Sequence, residues 1–181
     1  MTTSARTRSP WRRWLALTGV GIAVLALAAV AYTALSSAPA PTPAAGSGSE
    51  MAFTATTLSG QQVSVPGGKP SVVYFFSVNC GTCGPDAQAL AQLQQTTPGA
   101  NFAAVDLDPR ENVDDVRGFL NTNQASALPY TIDTDARLST GYQIDQLGVA
   151  VVLDAAGNEV FRGYKPEPAQ IQTALTQAGA R

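Results

Sequence analysis

Histidine is missing from the 181 residues of this chain, and cysteine occurs only at Cys80 and Cys83. Without an imidazole there is no Ser-His-Asp triad, no Cys-His protease pair and no His-based zinc or copper site. Two cysteines also confine any sulfur chemistry to one pair. Charge is scarce: Asp, Glu, Lys and Arg make up 13% of the chain. All thirteen acidic residues fall at or after Glu50, whereas Arg6, Arg8, Arg12 and Arg13 precede Trp14. The first part therefore carries +4. From Glu50 onward seven basic residues face thirteen acidic ones, a balance of −6 that the overall −2 conceals. An acidic globular part with no basic cluster has nothing to neutralise phosphates, which argues against nucleic acid as a partner.

What is present begins with Trp14–Leu35, 22 residues without a formal charge. At ~1.5 Å per residue this run can cross a hydrocarbon core of ~30 Å. The basic tail, residues 1–13, is expected to stay in the cytoplasm and to place the C-terminal part outside. Trp11 and Trp14 fall where interfacial aromatics are favoured. A cleaved signal peptide is the rival reading, with small residues at Ser36-Ser37-Ala38. Pro39 would follow the cut, however, and the apolar run exceeds the ~7–15 residues of a signal core. The favoured reading is an uncleaved transmembrane signal anchor over 14–35, in the cell membrane, single-pass. Residues 36–50, rich in Pro, Ala, Gly and Ser, form a linker whose first half is stiff and second half flexible.

Residues 51–181 read as one domain of alternating β and α signals. Phe53–Leu58 and Gln62–Val65, joined across Ser59-Gly60, predict an N-terminal hairpin. Ser71–Ser77 is β-branched and aromatic on both faces, as in a buried central strand. A helix is expected to begin just past Cys80 and run through Ala87–Leu93, followed by a strand over Phe102–Leu107. Val113, Val116 and Leu120 share one face of a helix around Val113–Leu120. Val149–Leu153 and Glu159–Phe161 form a hairpin around Ala156-Gly157-Asn158. Ile171 and Leu175 mark a closing helix after Glu167-Pro168. Such alternation predicts an α/β fold whose sheet contains at least one parallel βαβ unit.

The cysteines sit where this pattern passes from strand to helix. A thiol at a helix N-terminus meets unsatisfied backbone N–H groups and the positive end of the dipole, both of which favour the thiolate. Three-residue spacing lets the second thiol attack a mixed disulfide made by the first. Cys80 is therefore the expected nucleophile and Cys83 the buried resolving group. A structural disulfide would close too short a loop to remove much chain entropy, and a zinc site would lack two further ligands. Copper delivery is disfavoured, because only Met51 and the two thiols are soft ligands in the domain.

Gly68-Lys69-Pro70-Ser71-Val72-Val73-Tyr74-Phe75-Phe76-Ser77-Val78-Asn79-Cys80-Gly81-Thr82-Cys83 resembles the segment leading into the Cys-x-x-Cys motif of the TlpA/ResA branch of the thioredoxin superfamily. The similarity continues through Leu128-Pro129-Tyr130-Thr131-Ile132-Asp133, Tyr142-Gln143-Ile144 and Val151–Gly157, covering nearly all of residues 51–178. The resemblance implies a thioredoxin-like fold: a mixed central sheet flanked by helices, with an extra N-terminal β-hairpin, after the transmembrane helix. It also implies a membrane-tethered extracytoplasmic thiol–disulfide oxidoreductase with no cofactor beyond the redox-active disulfide and no metal. Several members of that branch serve cytochrome c maturation. The implied electron donor is a membrane thiol carrier of the CcdA/DsbD type, and the implied substrates are disulfides in exported proteins or apocytochrome c.

Asp86 falls where the branch often carries a helix-borne carboxylate that assists proton transfer; a solvated residue in a first helical turn is the plain alternative. Asn79, Gly81, Thr82, Gly148 and Val149 complete the implied active-site loops. Three positions depart from the pattern. Asn79 replaces the Trp before the first cysteine, and Tyr74 stands where thioredoxin has a buried Asp. Gly148 takes the place of the cis-proline that faces the cysteines, so the loop is expected to be trans or rearranged. Gly81-Thr82 places no charge between the cysteines, which predicts a moderately reducing couple. The alternatives are a disulfide-forming oxidant and a non-catalytic binding or adaptor module.

Overall fold

The computed structural model describes residues 51–181. The expectations for the basic tail, the anchor over 14–35 and the linker lie outside the described residues. Among the described residues no helix is long and apolar enough to cross a membrane.

Seven strands form one sheet: β1 (Phe53–Thr56), β2 (Gln62–Val65), β3 (Ser71–Phe76), β4 (Asn101–Asp106), β5 (Tyr130–Ile132), β6 (Val149–Leu153) and β7 (Glu159–Tyr164). The helices are α1 (Cys83–Thr96), α2 (Val113–Thr122), α3 (Arg137–Gly141) and α4 (Pro168–Gln177). The sheet order is β2-β1-β5-β4-β3-β6-β7. β3 and β4 run parallel, with α1 as their crossover, and β4 and β5 are parallel through α2. β6 returns antiparallel beside β3, and β1–β2 and β6–β7 are antiparallel hairpins. This is the thioredoxin-like mixed sheet, extended at one edge by the N-terminal hairpin.

All six residues of β3 are buried because helices cover both of its faces. Successive side chains of a strand point to opposite faces. Val72, Tyr74 and Phe76 accordingly pack with Leu90, Ala91, Leu120 and Leu175 of α1, α2 and α4. Val73 and Phe75 pack on the other face with Leu138, Tyr142 and Val151. Phe75 and Tyr142 meet at 5.5 Å between ring centroids. The central strand is thus anchored twice, and its C-terminal end is where the cysteine loop begins.

Several boundaries differ from the sequence expectation. β3 stops at Phe76, one residue early, because Ser77 turns its hydroxyl to Glu111 at 2.9 Å. β4 starts and ends one residue early, while β7 extends three residues further, to Tyr164. The helix after the cysteine loop begins at Cys83, with Thr82 at its N-cap; Cys80 therefore lies in the preceding turn. In α2 the buried face is Val116, Phe119 and Leu120, and Val113 is 48% exposed. The reason is the cap: Asn112 accepts from the Asp114 and Asp115 N–H groups while Asp115 accepts back from the Asn112 N–H, which orients the first residue outward.

Candidate active site at the head of the first helix

A run of tight turns carries the chain from the end of β3 to the first residue of α1. The Cys80 N–H donates to the Ser77 carbonyl at 3.0 Å, and the Cys83 N–H donates to the Cys80 carbonyl at 3.1 Å. This brings the two cysteines to 5.5 Å between Cα atoms, joined as a disulfide. Cys83 is fully buried against the α1–α2 side of the core, whereas Cys80 is half-buried. An open groove of about 590 Å³ borders Cys80, lined by Val78, Gly81, Gly84, Pro85 and Phe119, with Asp114 and Asp115 on its wall. An incoming sulfur can reach Cys80 from the groove, while Cys83 is screened. Among the described residues no group of three or more Cys, Asp or Glu side chains is arranged to hold a metal ion.

The stretch before Cys80 is held by Glu111. Its carboxylate accepts from Ser77 Oγ at 2.9 Å, the Val78 N–H at 2.8 Å, the Asn79 N–H at 3.3 Å and Asn79 Nδ2 at 2.8 Å. Burial pushes Glu111 upward, but the hydrogen bonds from Val78, Ser77 and Asn79, with the neighbouring Asp106 carboxyl, outweigh it and leave the group below its ordinary value. Beside it Asp106, with no exposed surface, is raised to about 8, by burial first and then by the facing Glu111 and Asp108 carboxylates. Asp106 is therefore protonated beside an ionised Glu111. Neither was singled out by sequence reading. The available signal was an acidic cluster, Asp106-Leu107-Asp108-Pro109-Arg110-Glu111, at the carboxyl end of a parallel strand, where sites of such sheets gather.

Asn79 stays exposed and ties its amide to Glu111, in a place where the TlpA/ResA-like pattern carries a tryptophan surface. Tyr74 lies on the other side of Cys83. Its hydroxyl is 3.2 Å from the Cys83 carbonyl and 3.3 Å from Asp86 Oδ2. Burial first, then the Asp86 charge, raises Tyr74, so it remains a neutral donor. Asp86 is only partly solvated: desolvation raises it, while the Tyr74 hydrogen bond and the Lys165 charge act the other way. A solvated first-turn residue is therefore not the whole description of Asp86. Together with Tyr74, Lys165, Pro166 and Ile171 it lines a pocket of about 290 Å³.

Gly148 lies immediately before β6, with φ +86, a region closed to most side chains. Val65–Pro66 is the one cis peptide among the described residues, so the peptide before Gly148 is trans. Gly148 is fixed by its N–H on the Phe75 carbonyl and by its carbonyl accepting from the Lys165 N–H, both at 2.8 Å. Val149 is buried and pairs with Phe75 and Tyr164, so it serves the sheet next to the loop. Thr82 receives a hydrogen bond from Lys165 Nζ at 2.5 Å, and its hydroxyl is 3.8 Å from Cys80 Sγ. Lys165, 82 residues beyond Cys83, was not found from the sequence, since only the β7 turn brings it back.

Fold and site together define a class: a thioredoxin-like domain whose central strand leads into a Cys80–Cys83 disulfide at the head of a helix. No family model matches the chain. The fold is shared with a secreted Mycobacterium tuberculosis disulfide oxidoreductase homologous to E. coli DsbE, at 22% identity and TM-score 0.58 over 71% of this chain and 98% of that one. It is also shared with MTB dsbF, at 24% identity and TM-score 0.60 over 71% and 96% of the two chains. StoA from Bacillus subtilis aligns at 20% identity and TM-score 0.60 over 76% of this chain and 99% of that one. A sequence relative is more specific: over 133 residues, 71% of this chain and 70% of the relative, identity is 41%. The chain belongs to the family of that protein, the mercury resistance operon ORF3 product of Streptomyces lividans.

Proposed function

We propose that the chain is an extracytoplasmic thiol–disulfide reductase, tethered by the apolar run over 14–35 and acting on exported proteins through Cys80 and Cys83. The observation that carries the reading is the asymmetry of the pair: a half-buried Cys80 on a groove and a Cys83 with 0% exposure behind it. In the reduced protein the Cys80 thiolate attacks a substrate disulfide. One substrate sulfur leaves as thiolate and the other becomes bonded to Cys80. Cys83, losing its proton, then attacks the Cys80 sulfur and expels the second substrate thiolate. The substrate gains two electrons, one proton from Cys83 and one from water, and Cys80–Cys83 ends as a disulfide. A dithiol donor must restore the pair; a membrane carrier of the CcdA/DsbD type would suit a domain held outside the membrane. Apocytochrome c fits the substrate class, as does any exported protein with an exposed disulfide.

The Streptomyces relative is the product of a mercury resistance operon. For this chain it supports a reading in which the client thiols are those exposed to thiol-seeking metals outside the cell. The uncharged Gly81-Thr82 pair and the lack of histidine support the reducing direction. A second reading, a disulfide-forming oxidant, is favoured by one observation: the Lys165 ammonium reaches Thr82 beside Cys80, and a cation there stabilises the reduced state. Equilibrating the protein with defined ratios of reduced to oxidised glutathione decides between them. A potential near those of thioredoxin-type reductases, roughly −270 mV, supports the reductase, and one near roughly −120 mV supports the oxidant. Insulin reduction by wild type and by Cys80→Ser tests the enzyme itself. Equal rates would leave only an adaptor.

A further inference from the structure

Outside the cysteine pair, the described surface offers one cation that reaches the loop between the sulfurs. Lys165 follows the last residue of β7 and adopts φ +44, a left-handed conformation uncommon for a residue with a side chain. Its N–H is tied to the Gly148 carbonyl at 2.8 Å, so the backbone is set by the same loop that approaches the cysteines. The stem then runs over Gly148. A Cβ placed at position 148 would come within 3.2 Å of Lys165 Cγ and 3.4 Å of Cε. The stem therefore occupies the room that the missing side chain leaves. At its tip, Nζ donates to Thr82 Oγ1 at 2.5 Å, and that hydroxyl is 3.8 Å from Cys80 Sγ. The Tyr164 ring supports the ammonium at 5.6 Å from its centroid.

We propose that Lys165 is a positioning residue for the exchange: seated over Gly148, it holds the Thr82 hydroxyl toward Cys80 and stabilises the negative charge on that sulfur whenever the disulfide opens. In the reductive half-reaction a donor dithiol is oxidised to a disulfide and the Cys80–Cys83 bond breaks. The two sulfurs take the electron pair, Cys83 takes one proton, and Cys80 remains a thiolate beside Thr82 while the other proton passes to water. The other charged groups around the site are carboxylates and one cation, Arg117, which pairs with Asp114 at 2.6 Å. Asp86 on α1 and Glu167 flank Lys165, Asp114 and Asp115 of α2 line the groove at Cys80, and Glu111 lies under Asn79. Tyr74 of β3 is neutral. Each carboxylate opposes a thiolate; Arg117 offsets Asp114 on the groove wall, and Lys165 is the cation that reaches the loop between the sulfurs.

This rests on Cys80 being the attacking sulfur, and the experiment separates the two claims. Full-length wild type, Lys165→Met, Lys165→Arg and Thr82→Val are equilibrated with glutathione, and the thiolate absorbance of each reduced protein is followed against pH. An opposite charge at a partly exposed site is worth roughly half to one pH unit. Lys165→Met should move the thiolate midpoint upward by that amount and shift the glutathione equilibrium about three- to tenfold toward the disulfide. Lys165→Arg should remain near wild type, and Thr82→Val should fall between them. An unchanged midpoint and equilibrium in Lys165→Met overturns the proposal, even where Cys80→Ser abolishes exchange. If Cys80→Ser exchanges as well as wild type, the functional reading fails first.

Discussion

The two sides of the disulfide are built differently. On the approach to Cys80, four donors from Ser77, Val78 and Asn79 converge on the Glu111 carboxylate, backed by a fully buried Asp106. On the opposite side Tyr74, Asp86 and Lys165 face a pocket, Tyr74 meeting Cys83 and Asp86 at 3.2 and 3.3 Å and Lys165 reaching Thr82 at 2.5 Å. The first side fixes where the cysteine loop lies. The second puts a neutral hydroxyl, an acid and a cation within reach of sulfur chemistry. Rigidity and tuning are thus assigned to separate elements, so changes on one side are expected to read out as stability and changes on the other as chemistry.

The largest effect should come from the fixed side. Glu111→Gln keeps the shape of the side chain but removes the charge that three backbone and side-chain N–H donors and one hydroxyl share. Loss of charge-assisted, largely buried hydrogen bonds is expected to cost about 2–3 kcal/mol in denaturant unfolding. A loss under about 0.5 kcal/mol would mean that the loop holds itself. Asp106 should give a smaller effect with a distinct pH signature. Its carboxyl is raised to about 8 when folded, so between about pH 4 and 8 the folded state binds more protons than the unfolded one. That contribution to stability is greatest below the unfolded value and declines as pH rises through the window. Asp106→Asn should flatten the decline and be the more stable protein at pH 8, by on the order of 2 kcal/mol. Denaturation midpoints at pH 5 and pH 8 check this.

The tuning side should leave stability nearly unchanged and alter rates. The Tyr74 hydrogen bond lowers an Asp86 that burial has raised. Tyr74→Phe should therefore move the acidic limb of the exchange-rate profile to higher pH, and Asp86→Asn should remove that limb while slowing exchange up to about tenfold. A profile unaffected by either change would return Asp86 to the role of a helix-start charge.

Much of the scaffold was legible in the sequence because it follows from local periodicity. The unbroken apolar run from Val72 to Phe76 signals a strand covered on both faces, and Ile171 with Leu175 signals a helix with one buried face. β5 and α3 were not read as elements; they span three and five residues, too few for a period to show. Val113 was placed on the wrong face because capping by Asn112 overrides the hydrophobic pattern at a helix start. The cysteine pair was legible through its strand-to-helix position. Glu111 and Lys165 were not, since each reaches the site across more than thirty residues of chain through a strand order that no short window contains.

The central claim is that Cys80 meets the substrate and Cys83 resolves. It is tested most directly by expressing Cys83→Ser and Cys80→Ser in cells, quenching with acid and an alkylating reagent, and identifying adducts on non-reducing gels and by mass spectrometry. The account predicts mixed disulfides through Cys80 in Cys83→Ser and essentially none in Cys80→Ser. Adducts carried by Cys83 in Cys80→Ser, or none in either variant, would contradict it.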